Sequence, residues 1–212
     1  MDTKPTNAEA FVELDAARRS LMAVLERLRV NDWNQPTLCE GWRVREVVSH
    51  LAFAPDARFS RVLHRMVSAR GRVDVMLDRL AREGGRRSPD EILAHYRRNI
   101  EARTLPPGVS PTQFLTDVVI HSLDITKPNG WTLDLPVERM RIALSTLVTL
   151  GGPFQGRQRS EGLHCDTTDI DWRAGCGDHV RGPSQSMLLA LAGRRPMCSE
   201  LSGTGVDTLL AR

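Results

Sequence analysis

Most of the first 150 residues carry apolar side chains at the spacing of amphipathic α-helices. Residues 8–30 form the first predicted helix, because their apolar positions recur every three or four residues and so share one face. Either Thr6 or Asn7 can cap its start, and Asn7 directly precedes the helix. The members of this apolar stripe are Phe11, Leu14, Ala17, Leu21, Val24, Leu25 and Leu28.

The second predicted helix runs from about Arg43 to Met66. The segment from Thr37 to Glu40 has the form of a capping box ahead of it, in which a threonine and a glutamate three residues later bond each other's backbone amides. Pro55 lies inside the helical stretch, where it removes a backbone hydrogen bond. We therefore expect a kink or a break near Ala54.

Further helices follow as far as residue 150. Ser88, Pro89 and Glu91 mark one start, with serine as N-cap, proline in the first helical position and glutamate closing a capping box. That helix is predicted to end near Arg103, ahead of a Pro-Pro-Gly turn. The other helices are predicted at about 73–82, 111–126 and 137–150.

The pattern changes after the Gly-Gly-Pro sequence at residues 151–153. Short runs with alternating or β-branched residues replace the long helical stripes. They predict strands at 163–167, 169–173 and 179–181, followed by a helix at 183–192. The sequence therefore predicts a mainly α protein, with a helical domain over residues 1–150 and a small α+β region over residues 151–212.

Composition and charge describe an ordinary globular chain. Its 212 residues are 41% hydrophobic and 26% charged, with a net charge of +3. This mild positive charge suits anionic small molecules at least as well as nucleic acid.

The sequence contains no run of about 18 apolar residues that would span a membrane, and the N-terminus lacks the apolar core of a signal peptide. We therefore expect a cytoplasmic protein whose four cysteines, which form no C-x-x-C pair, are free thiols.

Candidate chemistry centres on the predicted helix at 111–126. Asp117 and His121 are four residues apart, a spacing that puts a carboxylate and an imidazole on one helical face. His50, on the second predicted helix, also lies among apolar residues. Buried histidine and aspartate side chains must be paired or ligated, and bundle cores hold metals between facing helices. The sequence therefore predicts a metal site built from His50, Asp117 and His121.

Other interpretations of these residues remain open at this stage. The D-x-x-x-H spacing also occurs among unrelated helix residues, and a histidine in a helix is usually structural. Asp124, three residues after His121 and on nearly the same face, can support an imidazole, replace Asp117 as ligand or form a helix-end salt bridge. Cys39 has no histidine near it in sequence and is expected to be structural, and Trp42 is expected to pack where the second helix begins.

Two motifs carry a family resemblance. Residues 41–51 (GWRVREVVSHL), followed by D-x-x-x-H-x-x-D at residues 117–124, resemble the mycothiol-dependent maleylpyruvate isomerase family within the DinB/YfiT-like superfamily of metalloproteins. Weaker similarity extends to residues 168–172, 180–183 and 191–194. The resemblance implies a DinB-like four-helix bundle with a small α+β C-terminal region.

The resemblance also implies a metal site and a thiol cofactor. Its ligands would be His50, Asp117 and His121, although the family usually has glutamate where Asp117 stands. Zinc is the first choice of metal, with nickel or iron as alternatives. The cofactor would be mycothiol, whose sulfur would meet the metal as a thiolate, and the substrate a small carboxylate or other electrophile. Arg194 matches a recurring arginine of the family, which would orient the substrate carboxylate; the alternative is a charge at a helix C-terminus.

The predicted activity is that of a metal-dependent thiol transferase or isomerase. The alternatives are a metal-dependent hydrolase on the same ligands and a non-enzymatic metal-binding stress or regulatory protein. In the enzyme, Arg58, Arg61 and Arg65 would border the pocket or form a solvated face, and in the non-enzymatic protein the arginine-rich stretch 58–87 would serve as a partner surface. A homodimer is compatible with the sequence, whereas nucleic acid and membrane are not expected partners.

Overall fold

The computed structural model describes residues 5–53, 72–106, 108–151 and 154–212. Its helices in chain order are α1 Asn7–Leu25, α2 Val44–Phe53, α3 Val73–Gly84, α4 Pro89–Arg98, α5 Pro111–Asn129, α6 Val137–Leu147, α7 Gly156–Ser160, α8 Ser184–Leu191 and α9 Val206–Leu210. Its strands are β1 Leu163–Thr167, β2 Arg173–Gly175 and β3 Asp178–Gly182. The protein is thus mainly helical with a small sheet in its C-terminal region, as predicted.

Helices α1, α2, α4 and α5 form the bundle. α5 packs against α1, α2, α6 and α8, and every residue from Phe114 to Thr126 except Asp117 is buried. Such all-round burial makes α5 the central helix of the molecule. A polar face on this helix therefore lies against other elements of the core and not against solvent.

The first two helices differ from prediction at their ends. Thr6, not Asn7, caps α1, because its hydroxyl accepts the Glu9 amide while the Glu9 carboxylate accepts the Thr6 amide. α1 ends at Leu25 rather than near residue 30, where a short 3₁₀ turn, Val30–Asn34, takes over. α2 is described as far as Phe53, and its predicted continuation to Met66, with the kink at Pro55, lies outside the described residues.

The capping box predicted at Thr37 to Glu40 is wrong. The Thr37 hydroxyl donates to the carbonyl of Trp42 at 2.8 Å and so closes a loop. α2 begins only at Val44, and its start is held by Glu46, whose carboxylate accepts the Arg43 amide at 2.9 Å. This loop fixes Trp42 beside the first turn of α2.

The middle helices agree more closely with prediction. Ser88 caps α4 with Pro89 in the first turn and Glu91 completing the capping box, although α4 ends at Arg98 instead of near Arg103. α5 begins at the predicted residue and continues three residues beyond the predicted end. Gly130, with φ of 67°, terminates it in the left-handed conformation.

The C-terminal sheet has the strand order β2-β1-β3, with β1 antiparallel to β2 and parallel to β3. Strands β1 and β3 lie where predicted, but the strand predicted at 169–173 is wrong. Residues 168–172 form the turn, closed by the hydrogen bond from the Thr167 amide to the Trp172 carbonyl. Asp169 instead binds the amide and hydroxyl of Ser184 at 2.7 and 2.8 Å, which fixes the beginning of α8.

One hydrophobic core includes residues from both sides of position 150. Leu163 on β1 and Leu188 on α8 belong to the same cluster of buried side chains as Leu115 on α5 and Leu144 on α6. The division into residues 1–150 and 151–212 therefore stays a prediction. None of the helices in the described part of the chain is long and apolar enough to cross a lipid bilayer.

Candidate metal centre

Three side chains from α2 and α5 meet inside the bundle. Nε2 of His50 lies 3.6 Å from one carboxylate oxygen of Asp117, and Nε2 of His121 lies 3.5 Å from the other. One potential ligand atom from each residue lies within 4.8 Å of the other two. The side chains of His50, Asp117 and His121 are only 11%, 16% and 7% exposed. The structure thus brings together the three residues that the sequence singled out.

Asp124 sets the orientation of the His121 ring. Its Oδ2 atom accepts a hydrogen bond from Nδ1 of His121 at 2.9 Å. An ionised carboxylate can only accept, so Nδ1 is the donor, and in the neutral imidazole Nε2 is the atom that can bind a metal. That Nε2 atom is the one that faces Asp117. The geometry favours Asp117 as the ligand and Asp124 as the support for His121.

Arg194 anchors Asp124 from the C-terminal region. Its Nε donates to Oδ1 of Asp124 at 2.9 Å and its Nη2 to Oδ2 at 2.6 Å, a bidentate pair. Its Nη1 donates to the carbonyl of Ala192 at 2.8 Å. Three of the five N–H donors of the guanidinium are thus bound within the protein. Arg194 here positions Asp124, and its contact with substrate stays a prediction.

These charges stabilise one another in a site that excludes most solvent. Burial by itself would raise the pKa of Asp124, but the Arg194 guanidinium and the hydrogen bond from His121 together hold that pKa below its usual value. Burial acts on Asp117 in the same direction, and His121, His50 and Arg194 again lower the pKa overall. Burial would lower the pKa of Arg194, yet Asp124 raises it. Both aspartates are therefore carboxylates at neutral pH.

Trp42 covers the two imidazoles. Its ring centroid lies 5.3 Å from that of His50 and 6.1 Å from that of His121, and the two imidazole centroids are 5.0 Å apart. Its indole Nε1 donates to Oδ1 of Asp78 on α3 at 2.9 Å. The sequence indicated core packing for Trp42 and gave no signal for Asp78, which lies 36 positions further along. For Trp42, the signal in the sequence was its position in the motif that contains His50.

Comparison with known proteins identifies the family. The family model for the mycothiol maleylpyruvate isomerase N-terminal domain matches residues 14–126, more than half of the chain. The chain belongs to this family. No curated protein matches the chain significantly.

Two crystal structures share the fold of this family member. They are the mycothiol-dependent maleylpyruvate isomerase and a histidine-to-alanine variant of it, at 17% and 16% sequence identity. Each alignment covers 96% of both chains with a TM-score of 0.66. At this identity the similarity establishes the fold, from the bundle through the C-terminal sheet.

The donor set of this family member fits a divalent metal. Two imidazole nitrogens and one carboxylate, without a thiolate, suit zinc, nickel, iron or manganese. Ligands about 2.1 Å from a tetrahedral zinc lie roughly 3.4 Å from each other, close to the 3.5 and 3.6 Å measured here. These separations are also too long for good hydrogen bonds. Asp117, one methylene shorter than the usual glutamate, presents a different oxygen to each imidazole, and one ligand atom from each of the three residues lies within 4.8 Å of the other two.

Cys39 belongs to a second, overlapping cluster. It could share an ion with His121 and Asp124, since one atom of each lies within 4.8 Å of the others. However, both oxygens of Asp124 are bound by Arg194, and burial raises the pKa of the Cys39 thiol to about 12. The site of His50, Asp117 and His121 is therefore the better metal site.

The arginines Arg58, Arg61 and Arg65 lie outside the described residues.

Proposed function

We propose that this protein is a divalent-metal-dependent thiol transferase or isomerase that uses mycothiol on a small electrophilic or carboxylate substrate. The observation that carries the proposal is the convergence of Nε2 of His50, the carboxylate of Asp117 and Nε2 of His121. Membership of the mycothiol maleylpyruvate isomerase family supports mycothiol as the thiol. The solved structures that share the fold are named as mycothiol-dependent isomerases, which supports an isomerisation.

His50, Asp117 and His121 would hold the metal. A divalent metal bound there would act as a Lewis acid that lowers the pKa of a coordinated thiol. With three protein ligands, the site leaves room for a thiol sulfur and a substrate oxygen. The thiol proton would pass to solvent, since Cys39 is itself protonated and Asp124 is bound to Arg194, so neither is free to act as a general base.

The remaining residues maintain the site. Asp124 keeps the proton of His121 on Nδ1, so Nε2 stays available as a donor atom. Arg194 keeps Asp124 ionised and in position. Trp42, fixed by Asp78, limits the access of water to the imidazole side of the site.

The partners and location complete the proposal. We infer that the protein binds a small-molecule thiol and an electrophile, and that it does so in the cytoplasm, as predicted from the sequence. A homodimer is the assembly that the proposal puts to the test. Zinc remains the first choice of metal because the donor set contains two imidazoles and a carboxylate.

A thiol-dependence assay tests the proposal. Zinc-loaded protein is mixed with maleylpyruvate, with and without mycothiol, and turnover is compared with that of His121→Ala and of His179→Ala. We expect turnover only with mycothiol, a loss of at least about 100-fold in His121→Ala, and no change in His179→Ala, which alters an exposed histidine on β3. Hydrolysis of an ester or amide substrate without any thiol would instead indicate a metal-dependent hydrolase.

A further inference from the structure

A second pair of histidines lies outside the bundle. His164 on β1 and His179 on β3 are directly opposite each other in the parallel ladder, and their ring centroids are 4.8 Å apart. We propose that this pair is a second, weaker binding site for a divalent transition metal such as Cu²⁺, Ni²⁺ or Zn²⁺. The site is separate from the bundle site in the residues it uses, and it does not depend on the proposed enzymatic function.

The strands direct both imidazoles to the same side of the sheet. Along β1, the side chains of Leu163, Cys165 and Thr167 are buried, so His164 projects from the outer face. Along β3, Val180 is buried and His179 projects outward. Because paired residues on neighbouring strands point to one face, the backbone places the two rings side by side without any help from a ligand.

A hydrogen bond prepares His164 as a ligand. Nδ1 of His164 lies 3.2 Å from the carbonyl oxygen of Gly175, the last residue of β2. A carbonyl only accepts, so Nδ1 is the donor and Nε2 carries the lone pair that a metal needs. Gly175 has φ of 77°, and a Cβ there would lie 2.2 Å from the Leu163 carbonyl oxygen. Only glycine fits at this position, and its pairing with His164 in the β1–β2 ladder holds its carbonyl beside the imidazole.

The spacing of the rings suits shared coordination. Two imidazoles that bind one metal through nitrogens about 2.1 Å away have ring centroids roughly 4.5–5.5 Å apart. The His164–His179 separation of 4.8 Å lies in this range, and so does the 5.0 Å between His50 and His121 in the bundle. The two pairs are therefore equally well spaced, although one is buried and the other faces solvent.

The ligand count predicts the order of affinity. The bundle site offers a carboxylate besides its two imidazoles, whereas the sheet pair offers two imidazoles and leaves the other positions to water. His179 is exposed, so a metal reaches the pair directly from solution. Imidazole ligands bind Cu²⁺ more tightly than Ni²⁺ or Zn²⁺. We therefore expect Cu²⁺ to fill the sheet pair at lower concentrations than Zn²⁺ does.

The test is a metal titration of tag-free, full-length protein with Zn²⁺ and Cu²⁺. We expect two classes of site in the parent, at least about tenfold apart in affinity. His164→Ala and His179→Ala should each lose the weaker class and keep the tighter one. Arg173→Gln, which changes an exposed charge on β2 and leaves both imidazoles in place, should keep both classes. Circular dichroism of each variant confirms the fold.

Spectroscopy and the bundle variant separate this proposal from the first. Electron paramagnetic resonance of Cu²⁺ at the weaker site should show nitrogen ligands that disappear in His179→Ala. His121→Ala should lose the tighter class and keep the weaker one. A parent whose only class of site is lost in His121→Ala, or a weaker class that survives in both His164→Ala and His179→Ala, would overturn the sheet site. A parent that shows only the weaker class would retain the sheet site and overturn the bundle site.

Discussion

At the scale of single residues, the candidate site depends on a chain of contacts from Arg194 through Asp124 to His121. Arg194 holds both oxygens of Asp124, and Asp124 holds Nδ1 of His121. Each link fixes the next, and the last link orients the nitrogen that faces Asp117. Removing one member therefore affects both the metal site and the stability of the fold.

Asp124→Asn should weaken metal binding about 10–100-fold, the usual effect of losing a carboxylate behind a ligating histidine. The substitution removes the charge that selects the Nδ1 tautomer of His121. It also leaves the Arg194 guanidinium without its counterion in a nearly buried position, which costs roughly 3–5 kcal/mol in unfolding free energy. Competition with a chromogenic chelator measures the affinity, and urea denaturation measures the stability.

The control for this prediction is Asp74→Asn. Asp74 pairs with Arg72 on the surface, where both side chains are more than two-thirds exposed. Loss of this pair should leave metal affinity and stability unchanged within error. Equal effects of Asp74→Asn and Asp124→Asn would show that the buried pair has no special role.

Acid should destabilise the metal-free protein through the two buried aspartates. The pKa values of Asp117 and Asp124 are lowered in the folded state, whereas an unfolded aspartate titrates near 3.9. Their stabilising contribution is therefore complete above about pH 5 and is lost as the pH falls below about 4 towards the folded pKa values. Urea denaturation in EDTA between pH 7 and pH 2.5 should show that the unfolding free energy falls less with acid in Asp124→Asn than in the parent. The same fall in both proteins would contradict this assignment.

At the scale of secondary-structure elements, local pattern predicts α5 and its polar face but not the elements that cover it. The i,i+4 spacing of Asp117 and His121 places both on one face whatever surrounds them. Arg194 is 70 positions from Asp124, and no local pattern signals such a pair. Segment 168–172 alternates like a strand, yet Asp169 is needed at the start of α8. Thr37 matches a capping box, but the Trp42 carbonyl takes its hydroxyl.

The loop before α2 should report metal binding through Trp42. Its ring lies within about 6 Å of both imidazoles, so a paramagnetic ion such as Ni²⁺ or Cu²⁺ in the bundle site should quench its fluorescence. We expect quenching in the parent and in Trp172→Phe, since the Trp172 indole donates to Ser145 on α6, whereas Trp42 is the ring that lies beside both imidazoles. Trp42→Phe should lose most of the quenching. Full quenching in Trp42→Phe would show that the ion binds elsewhere.

At the scale of the whole molecule, the C-terminal region completes the site as well as the core. Arg194 follows α8, and buried residues of β1 and α8 join the core of the bundle. The sequence predicted both regions, but it could not show that they pack as one, because each region has its own hydrophobic pattern. The fold of the solved isomerases extends over the same span.

A shared core predicts cooperative unfolding. Leu188→Ala removes a fully buried side chain from α8 and should lower the unfolding free energy by about 2–5 kcal/mol. If the regions unfold together, far-ultraviolet circular dichroism and tryptophan fluorescence give coincident single transitions in the parent and in the variant. Two separated transitions, with only one shifted by Leu188→Ala, would favour independent domains at 1–150 and 151–212.

The most direct test of the central claim is the metal content of tag-free protein. Inductively coupled plasma mass spectrometry is applied to the parent, His121→Ala and His179→Ala after dialysis against a weak chelator that empties the sheet pair. Convergence of His50, Asp117 and His121 predicts about one equivalent of a divalent metal in the parent and in His179→Ala, and almost none in His121→Ala. No metal in the parent, even after reconstitution with zinc and nickel, would contradict the claim.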